Sequence, residues 1–146
     1  MATMEIFANP NESAVKKLLV ESELPTADIP AQHLRHFFGC GHGPNLDGVV
    51  GLELYGATAL LRSLAVATSQ RGAGLGSRLV ARVERHAMDH GVKTLYLLTT
   101  TAESFFQRLG YARIPREEAP AAIKATKEFS GICPVSSAFM VKYLGR

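Results

Sequence analysis

The stretch LLRSLAVATSQRGAGLGS, residues 60–77, decides the fold. Its first seven residues are mostly apolar and β-type, and its last six carry glycine at every second position, Gly72, Gly74 and Gly76. Glycines let a backbone turn tightly and leave its amides uncovered, and a helix that follows contributes the positive end of its dipole. Successive amides in such a turn converge on the oxygens of an anion. The stretch therefore predicts a strand, a phosphate-binding turn and a helix in succession.

Two common glycine motifs do not fit this turn. A P-loop has Lys and then Ser or Thr after its last glycine, whereas Ser77 and Arg78 follow here. A dinucleotide fingerprint has the spacing G-x-G-x-x-G, whereas the spacing here is G-x-G-x-G. Taken alone, the glycines are also compatible with a tight strand-to-helix turn that binds nothing.

Helical and strand patterns are mixed along the rest of the chain. Leucine, valine and alanine recur every four residues within Gly74–His90, which predicts a long amphipathic helix. Further helices are predicted over Asn9–Leu24, with Asn9 as its cap, from Pro30 with Phe37 and Phe38 on one side, over Ala102–Arg108 and over Glu117–Phe129. Strands are predicted over Val49–Tyr55, Ala59–Val66, Thr94–Thr99 and Val135–Leu144, and a loop over Gly39–Asp47. Hairpins combined with a strand–helix–strand crossover indicate an α/β (α+β) fold with a mixed sheet flanked by helices, in a single domain over residues 1–146.

The composition excludes several classes of protein. With 47% hydrophobic and 20% charged residues in 146, the chain is typical of a globular domain. Its most apolar stretch, Val49–Leu61, is shorter than the about 20 residues of a membrane span and contains Glu53. The N-terminus shows no secretory signal, so we expect a cytoplasmic protein that keeps its two cysteines reduced. The net charge of +3 comes without a basic stripe, which argues against nucleic acid as a partner.

Two motifs in this order resemble those of a known family. The first is Arg71-x-x-Gly74-x-Gly76 after a strand and before a helix, and the second is Phe105-Phe106-Gln107-Arg108-Leu109-Gly110-Tyr111 after a strand and a short helix. Together they resemble the coenzyme A signature and the second block of the GCN5-related N-acetyltransferases (GNAT). The resemblance implies the GNAT fold and transfer of an acetyl group from acetyl-CoA to the primary amine of a small molecule, without a metal. It also implies pairing through late strands into a homodimer.

Within that superfamily the chain is similar to the small acetyltransferases encoded in arsenic-resistance operons. The segments that carry this similarity are residues 59–66, 95–102, 119–123 and 133–138. The similarity implies an arsenic-containing or other toxic amino acid as the substrate, and hence a role in detoxification.

The resemblance also assigns the acyl carrier to particular positions. The backbone of Leu64, Ala65 and Val66 is expected to hold the pantetheine arm and polarise the thioester. The diphosphate is expected at the amides of Arg71, Gly72, Ala73, Gly74, Leu75, Gly76 and Ser77, and Phe106 is expected beside the cofactor.

The sequence offers several candidates for the groups that move protons, because the chain departs from the family. Many members have a tyrosine as general acid where this chain has Phe106, which cannot donate a proton. Tyr111, Tyr96 or a hydroxyl among Thr99–Thr101 takes that role instead, or water protonates the thiolate; the alternative for Tyr111 is a buried strand aromatic. Glu53 lies in an apolar run and is the candidate base, and its alternative is a solvent-exposed side chain.

Two further residues are predicted to contact the amine substrate. Arg62 shares the two-residue alternation of Leu64 and Val66, so it is expected on their side of the strand, where it binds a carboxylate or an arsenic oxyanion. Its alternative is an outward, solvated side chain. Thr99 is the second predicted substrate residue.

A metal site is the remaining sequence hypothesis. His33, His36, Cys40 and His42 are spaced superficially like ligands, but no paired cysteine motif accompanies them, so we expect a local packing feature and no metal. Cys133 is either an acyl carrier, an arsenic ligand or a buried thiol. Two alternatives to an enzyme follow from these residues. Phe106 at the usual acid position is compatible with a catalytically silent acyl-CoA sensor, and the cysteines and histidines are compatible with an arsenite- or metal-binding protein.

Overall fold

The computed structural model describes residues 5–24, 26, 31–42, 45–70, 72, 74–126, 129 and 137–144. These residues form the strands β1 (Ile6–Ala8), β2 (Phe37–His42), β3 (Asn45–Tyr55), β4 (Thr58–Val66), β5 (Thr94–Thr99), β6 (Ala112–Arg113) and β7 (Ala138–Tyr143). The helices are α1 (Glu12–Glu21), α2 (Leu75–Asp89), α3 (Glu103–Arg108) and α4 (Ala121–Lys124). Short 3-10 turns occupy Ala31–His36, Thr68–Gln70 and Arg116–Glu118.

The seven strands of the described residues join into one mixed sheet. Their order is β1-β2-β3-β4-β5-β7-β6. Thr58–Leu60 of β4 pair in parallel with Thr94–Tyr96 of β5, whereas β1 with β2, β2 with β3, β5 with β7 and β6 with β7 are antiparallel. This confirms the predicted mixed sheet with flanking helices. The described residues divide into two compact units, drawn from Met1–Glu53 with Leu61–His86 and from Leu54–Leu60 with Ala87–Arg146.

In the first unit, helix α1 covers the sheet. Asn11 is its cap, because the Asn11 side chain accepts a hydrogen bond of 3.1 Å from the amide of Ala14. The prediction of Asn9 as the cap is wrong: Asn9 has a φ of 57° and donates its amide to the carbonyl of Phe37. The apolar side of α1 packs with strand residues in one cluster, Ala14, Val15, Leu18, Leu19, Leu34, Phe37, Leu46, Val49 and Ala65.

Helix α2 packs against β3 in the same unit. Its predicted positions Leu75, Leu79 and Val83 are buried, and Gly91 has a φ of 81° just after its end. A Cβ atom on Gly48 of β3 would lie 2.8 Å from a methyl group of Leu79. Gly48 therefore lets helix α2 lie close to β3.

In the second unit, a different cluster forms around β5 and β7. It contains Leu60, Tyr96, Ala119, Ile123, Phe139 and Val141. The rings of Tyr96 and Phe139 stack with centroids 5.5 Å apart.

Some predicted elements differ from the structure. Where a helix is predicted over Glu117–Phe129, the described residues form the 3-10 turn Arg116–Glu118 and the single turn α4, because Pro120 interrupts the run and cannot donate a backbone hydrogen bond. Phe37 and Phe38 lie in β2, and the predicted loop over Gly39–Asp47 supplies much of β2 and the start of β3. The ring of Phe37 lies directly over Gly51 in the neighbouring strand, which stabilises this glycine-rich pairing.

Candidate active site

The glycine turn has the open backbone that the sequence predicts. Gly72 and Gly74 have φ values of 88° and 80°, which L-residues rarely adopt, and both are exposed. A Cβ atom placed on either glycine would meet none of the described residues within 4 Å, apart from its neighbours along the chain. At these two glycines the described residues leave the backbone uncovered.

Helix α2 begins directly at this turn. The amide of Arg78 donates to the carbonyl of Gly74 at 3.2 Å. The amides of Leu75, Gly76 and Ser77 belong to the first turn, whose N–H groups have no partner within a helix. Leu75 is buried and anchors the turn, while Ser77 is exposed. Arg71 and Ala73, two of the predicted cofactor positions, lie outside the described residues.

The strand before the turn is not regular. Ser63, inside β4, has a φ of 59°, in the left-handed region that a serine rarely adopts. Such a residue interrupts the alternation of side chains along a strand. Of the predicted cofactor positions, Ala65 is buried, and Leu64 and Val66 are half-buried. Ser63 lies between Arg62 and Leu64, so the regular alternation from which Arg62 was placed beside Leu64 and Val66 is interrupted there, and that placement stays a prediction.

Glu53 and Arg62, predicted to act separately as base and as substrate ligand, contact each other. The guanidinium Nη1 of Arg62 lies 2.7 Å from Oε2 of Glu53, and Arg62 Nε donates to the hydroxyl of Ser63 at 3.0 Å. The side chains are 1% exposed for Arg62 and 11% for Glu53. The alternatives in which either side chain is simply solvated are therefore wrong. Sequence reasoning missed this ion pair because it treated each residue on its own strand.

In the second unit, Tyr111 and Phe106 form a packed aromatic pair. Both are buried, and their ring centroids are 5.4 Å apart at 74°. The amide of Tyr111 donates to the carbonyl of Phe106, and the Lys142 ammonium lies 5.5 Å from the Tyr111 ring centroid. This geometry matches the alternative interpretation of Tyr111 as a buried aromatic, and its role as general acid stays a prediction.

Thr99 and Tyr96, the other hydroxyl candidates, lie on β5. Thr99 is its last residue, and its hydroxyl accepts a 3.0 Å hydrogen bond from the amide of Ala102, at the start of α3. Burial raises the pKa of the Tyr96 hydroxyl, and Tyr143 adds to the rise. Tyr96 thus keeps its proton at neutral pH, within the stack on Phe139.

The described residues include no group of three or more His, Cys, Asp or Glu side chains placed to hold a metal ion. Cys40 is buried; burial raises the pKa of its thiol, Asp47 adds to the rise and Arg78 opposes it. A metal ligand must be a thiolate, so this environment is unfavourable to one. His36 instead contacts His86, with Nδ1 and Nε2 3.2 Å apart. Cys133 and the side chains of His33 and His42 lie outside the described part of the chain.

Among the described residues, no helix is long and apolar enough to cross a bilayer.

The profile of the Acetyltransferase (GNAT) family matches residues 3–111. The chain belongs to this family, which confirms the class of transferase predicted from the two motifs.

Individual relatives agree with the family. An uncharacterized N-acetyltransferase of Chlorobaculum tepidum is 33% identical over 93 residues, 63% of this chain and 59% of the relative. An amino-acid acetyltransferase of Ectopseudomonas mendocina is 40% identical over 62 residues, 42% of this chain and 14% of the relative. The chain thus spans less than two thirds of these relatives.

A solved structure shows the same fold. N-acetylglutamate synthase from Neisseria gonorrhoeae, complexed with coenzyme A and N-acetyl-glutamate, superposes with a TM-score of 0.81 at 22% identity. The match covers 100% of this chain and 36% of the synthase. The fold predicted from sequence is therefore confirmed.

Proposed function

We propose that the chain is an acetyl-CoA-dependent N-acetyltransferase that acts on the primary amine of an amino acid or a similar small molecule. The observation that carries this proposal is the open glycine turn at the start of α2, where Gly72 and Gly74 leave the backbone uncovered. Anions bind at such helix N-termini because backbone amides and the helix dipole both favour negative charge. The diphosphate of the acyl carrier supplies that charge.

The chemistry needs few protein groups. The amine nitrogen attacks the thioester carbonyl, a C–N bond forms, the C–S bond breaks, the nitrogen loses a proton and the thiolate gains one. Donors near the carbonyl oxygen stabilise the transition state, and we assign this task to the backbone of residues 64–66. Tyr111 as the acid, Glu53 as the base and Thr99 as a substrate contact remain predictions.

The acceptor is proposed from the relatives. The Ectopseudomonas mendocina relative is an amino-acid acetyltransferase, and the synthase of the same fold is complexed with N-acetyl-glutamate. These two proteins support an amino acid as acceptor. The arsenic-containing amino acid implied by the sequence resemblance is a narrower version of the same proposal.

The experiment is a thiol-release assay with acetyl-CoA and a panel of amines, including acidic amino acids, an arsenic-containing amino acid, an aminoglycoside and a polyamine. We expect thiol release with an amino acid and none after Gly74→Glu, since a carboxylate in the turn repels the diphosphate. Gly91→Glu is the matched control, because Gly91 has almost the same φ and equally open surroundings. A folded wild-type protein that binds no coenzyme A in calorimetry contradicts the proposal.

A second candidate is an acyl-CoA sensor without catalysis. It is favoured by Phe106 at the usual acid position and by the burial of Tyr111. Coenzyme A binding without thiol release on any amine of the panel would select the sensor.

A further inference from the structure

The backbone of β4 contains a disfavoured conformation at Ser63. Its φ of 59° lies in the left-handed region, inside a strand whose other residues are extended. A non-glycine residue persists there only when its surroundings determine the conformation strongly. The contacts around Ser63 must therefore explain why the strand turns at this residue.

Ser63 is hydrogen-bonded to a member of the ion pair between Arg62 and Glu53. Arg62 donates from Nε to the Ser63 hydroxyl at 3.0 Å and from Nη1 to Glu53 Oε2 at 2.7 Å. The guanidinium is planar and rigid, so these two bonds fix the position of the serine hydroxyl relative to β3. A buried ion pair contributes little net stability, since removing two charges from water is costly. Its presence here is better explained by the conformation that it fixes.

We propose that Arg62, together with Glu53, is a positioning residue that holds Ser63 in its left-handed conformation and so aligns the backbone of residues 64–66 with the acyl carrier. This inference rests on the proposed function, which places the pantetheine arm along that backbone. Arg62 then acts through Ser63, and it does not bind the carboxylate of the substrate.

A positioning role of Arg62 depends on the conformation of residue 63, whereas a substrate-binding role of Arg62 does not. Glycine adopts a positive φ without steric cost, so Ser63→Gly removes the need for the ion pair. Loss of the pair should therefore weaken coenzyme A binding strongly in the wild-type background and weakly in the Ser63→Gly background. Ser63→Ala is the matched control, because it removes the hydroxyl that Arg62 contacts but keeps the cost of the left-handed conformation. By itself it should therefore weaken coenzyme A binding about as much as loss of the pair.

The experiment is a double-mutant cycle between the ion pair and position 63. The pair is removed as Glu53→Gln/Arg62→Gln, which avoids leaving one charge buried alone, and urea unfolding confirms that each variant folds. We expect the pair variant to bind coenzyme A about tenfold more weakly, within the range of coupling between contacting residues. With Ser63→Gly the loss should fall below about threefold. Ser63→Ala alone should bind coenzyme A about as weakly as the pair variant, whereas Ser63→Gly alone should bind it like the wild type. Equal losses on removal of the pair in the Ser63 and Ser63→Gly backgrounds overturn the inference.

Kinetics separate this role from the roles predicted by sequence. At saturating acetyl-CoA, a positioning role leaves the KM for the amine unchanged. A raised amine KM with unchanged coenzyme A affinity assigns Arg62 to the substrate and overturns the inference, while the proposed function stands.

Hydrogen exchange keeps the inference testable if the proposed function fails. If the wild-type protein binds no coenzyme A, the rate of amide hydrogen exchange at residues 64–66 is measured instead in the same set of variants. We then expect faster exchange in the pair variant and restoration by Ser63→Gly. Unchanged exchange in the pair variant overturns the inference independently of any ligand.

Discussion

Gly74 and Gly91 are two glycines with the same local geometry in different places. Their φ values are 80° and 81°, and a Cβ on either meets nothing within 4 Å. An alanine at either position is strained by the backbone alone, at a cost of about 1 kcal/mol. We expect Gly74→Ala and Gly91→Ala to lower the free energy of unfolding by similar amounts, measured in urea. Only Gly74→Ala should also weaken coenzyme A binding, measured by calorimetry, because only Gly74 lies in the proposed diphosphate turn.

A different result would locate the carrier elsewhere. Equal coenzyme A affinity in the two folded variants would contradict the assignment of the diphosphate to residues 72–77.

At the same scale, sequence predicted some site residues and missed the relation between others. The glycines were predictable because spacing alone marks a backbone that must turn. The ion pair of Glu53 and Arg62 was not, because it joins side chains of two different strands, and the spacing within either strand does not show it. Nothing about a serine within an apolar run indicates a positive φ either. Tyr111 was ambiguous from sequence because the same residue suits a buried ring pair and a proton donor.

Among the elements, helix α1 depends on a single side-chain cap. Asn11 accepts a hydrogen bond from the amide of Ala14, which satisfies one of the free donors at the helix start. We expect Asn11→Ala to lower the free energy of unfolding by about 1 kcal/mol, measured by urea denaturation. Asn11→Ser should retain the cap and most of the stability, and an equal loss in both variants would show that the side-chain hydrogen bond is unimportant.

Elements with a strong period or clear end signals were predictable, and short ones were not. Helix α2 was predicted nearly to its ends because four apolar positions recur along it and Gly91 follows. Strands β1 and β6 have three and two residues, too few to show any alternation. The continuous helix predicted from Glu117 is wrong because Pro120 divides the run. The prediction gave the apolar pattern more weight than this proline.

For the whole molecule, the buried Tyr96 phenol and Cys40 thiol make the free energy of unfolding fall as the pH rises into the alkaline range. Burial raises the pKa of Tyr96 above its ordinary value of 10.0. Above that pH the unfolded chain loses the proton while the folded chain keeps it, so the unfolded state binds fewer protons and stability falls as pH rises. We expect the free energy of unfolding, measured in urea, to fall from about pH 10 upward, and less steeply in Tyr96→Phe.

Cys40 also lowers the free energy of unfolding at alkaline pH, because the pKa of its thiol is raised above 9.0. This loss begins at a lower pH than that of Tyr96, since a thiol has the lower ordinary pKa. The comparison is therefore made in a Cys40→Ala background, which removes the thiol. Identical alkaline slopes with and without the Tyr96 hydroxyl would contradict the prediction.

The arrangement of the last strand has a practical consequence for anyone shortening this protein. Family similarity extends over residues 3–111, yet β7 at Ala138–Tyr143 pairs with all six residues of β5 and with both residues of β6. A fragment that ends at residue 111 would leave β5 with a bare row of amides and carbonyls on the side where β7 pairs, and such edges recruit other chains. Expression of that fragment should yield aggregates, so recombinant work must retain the segment to Tyr143.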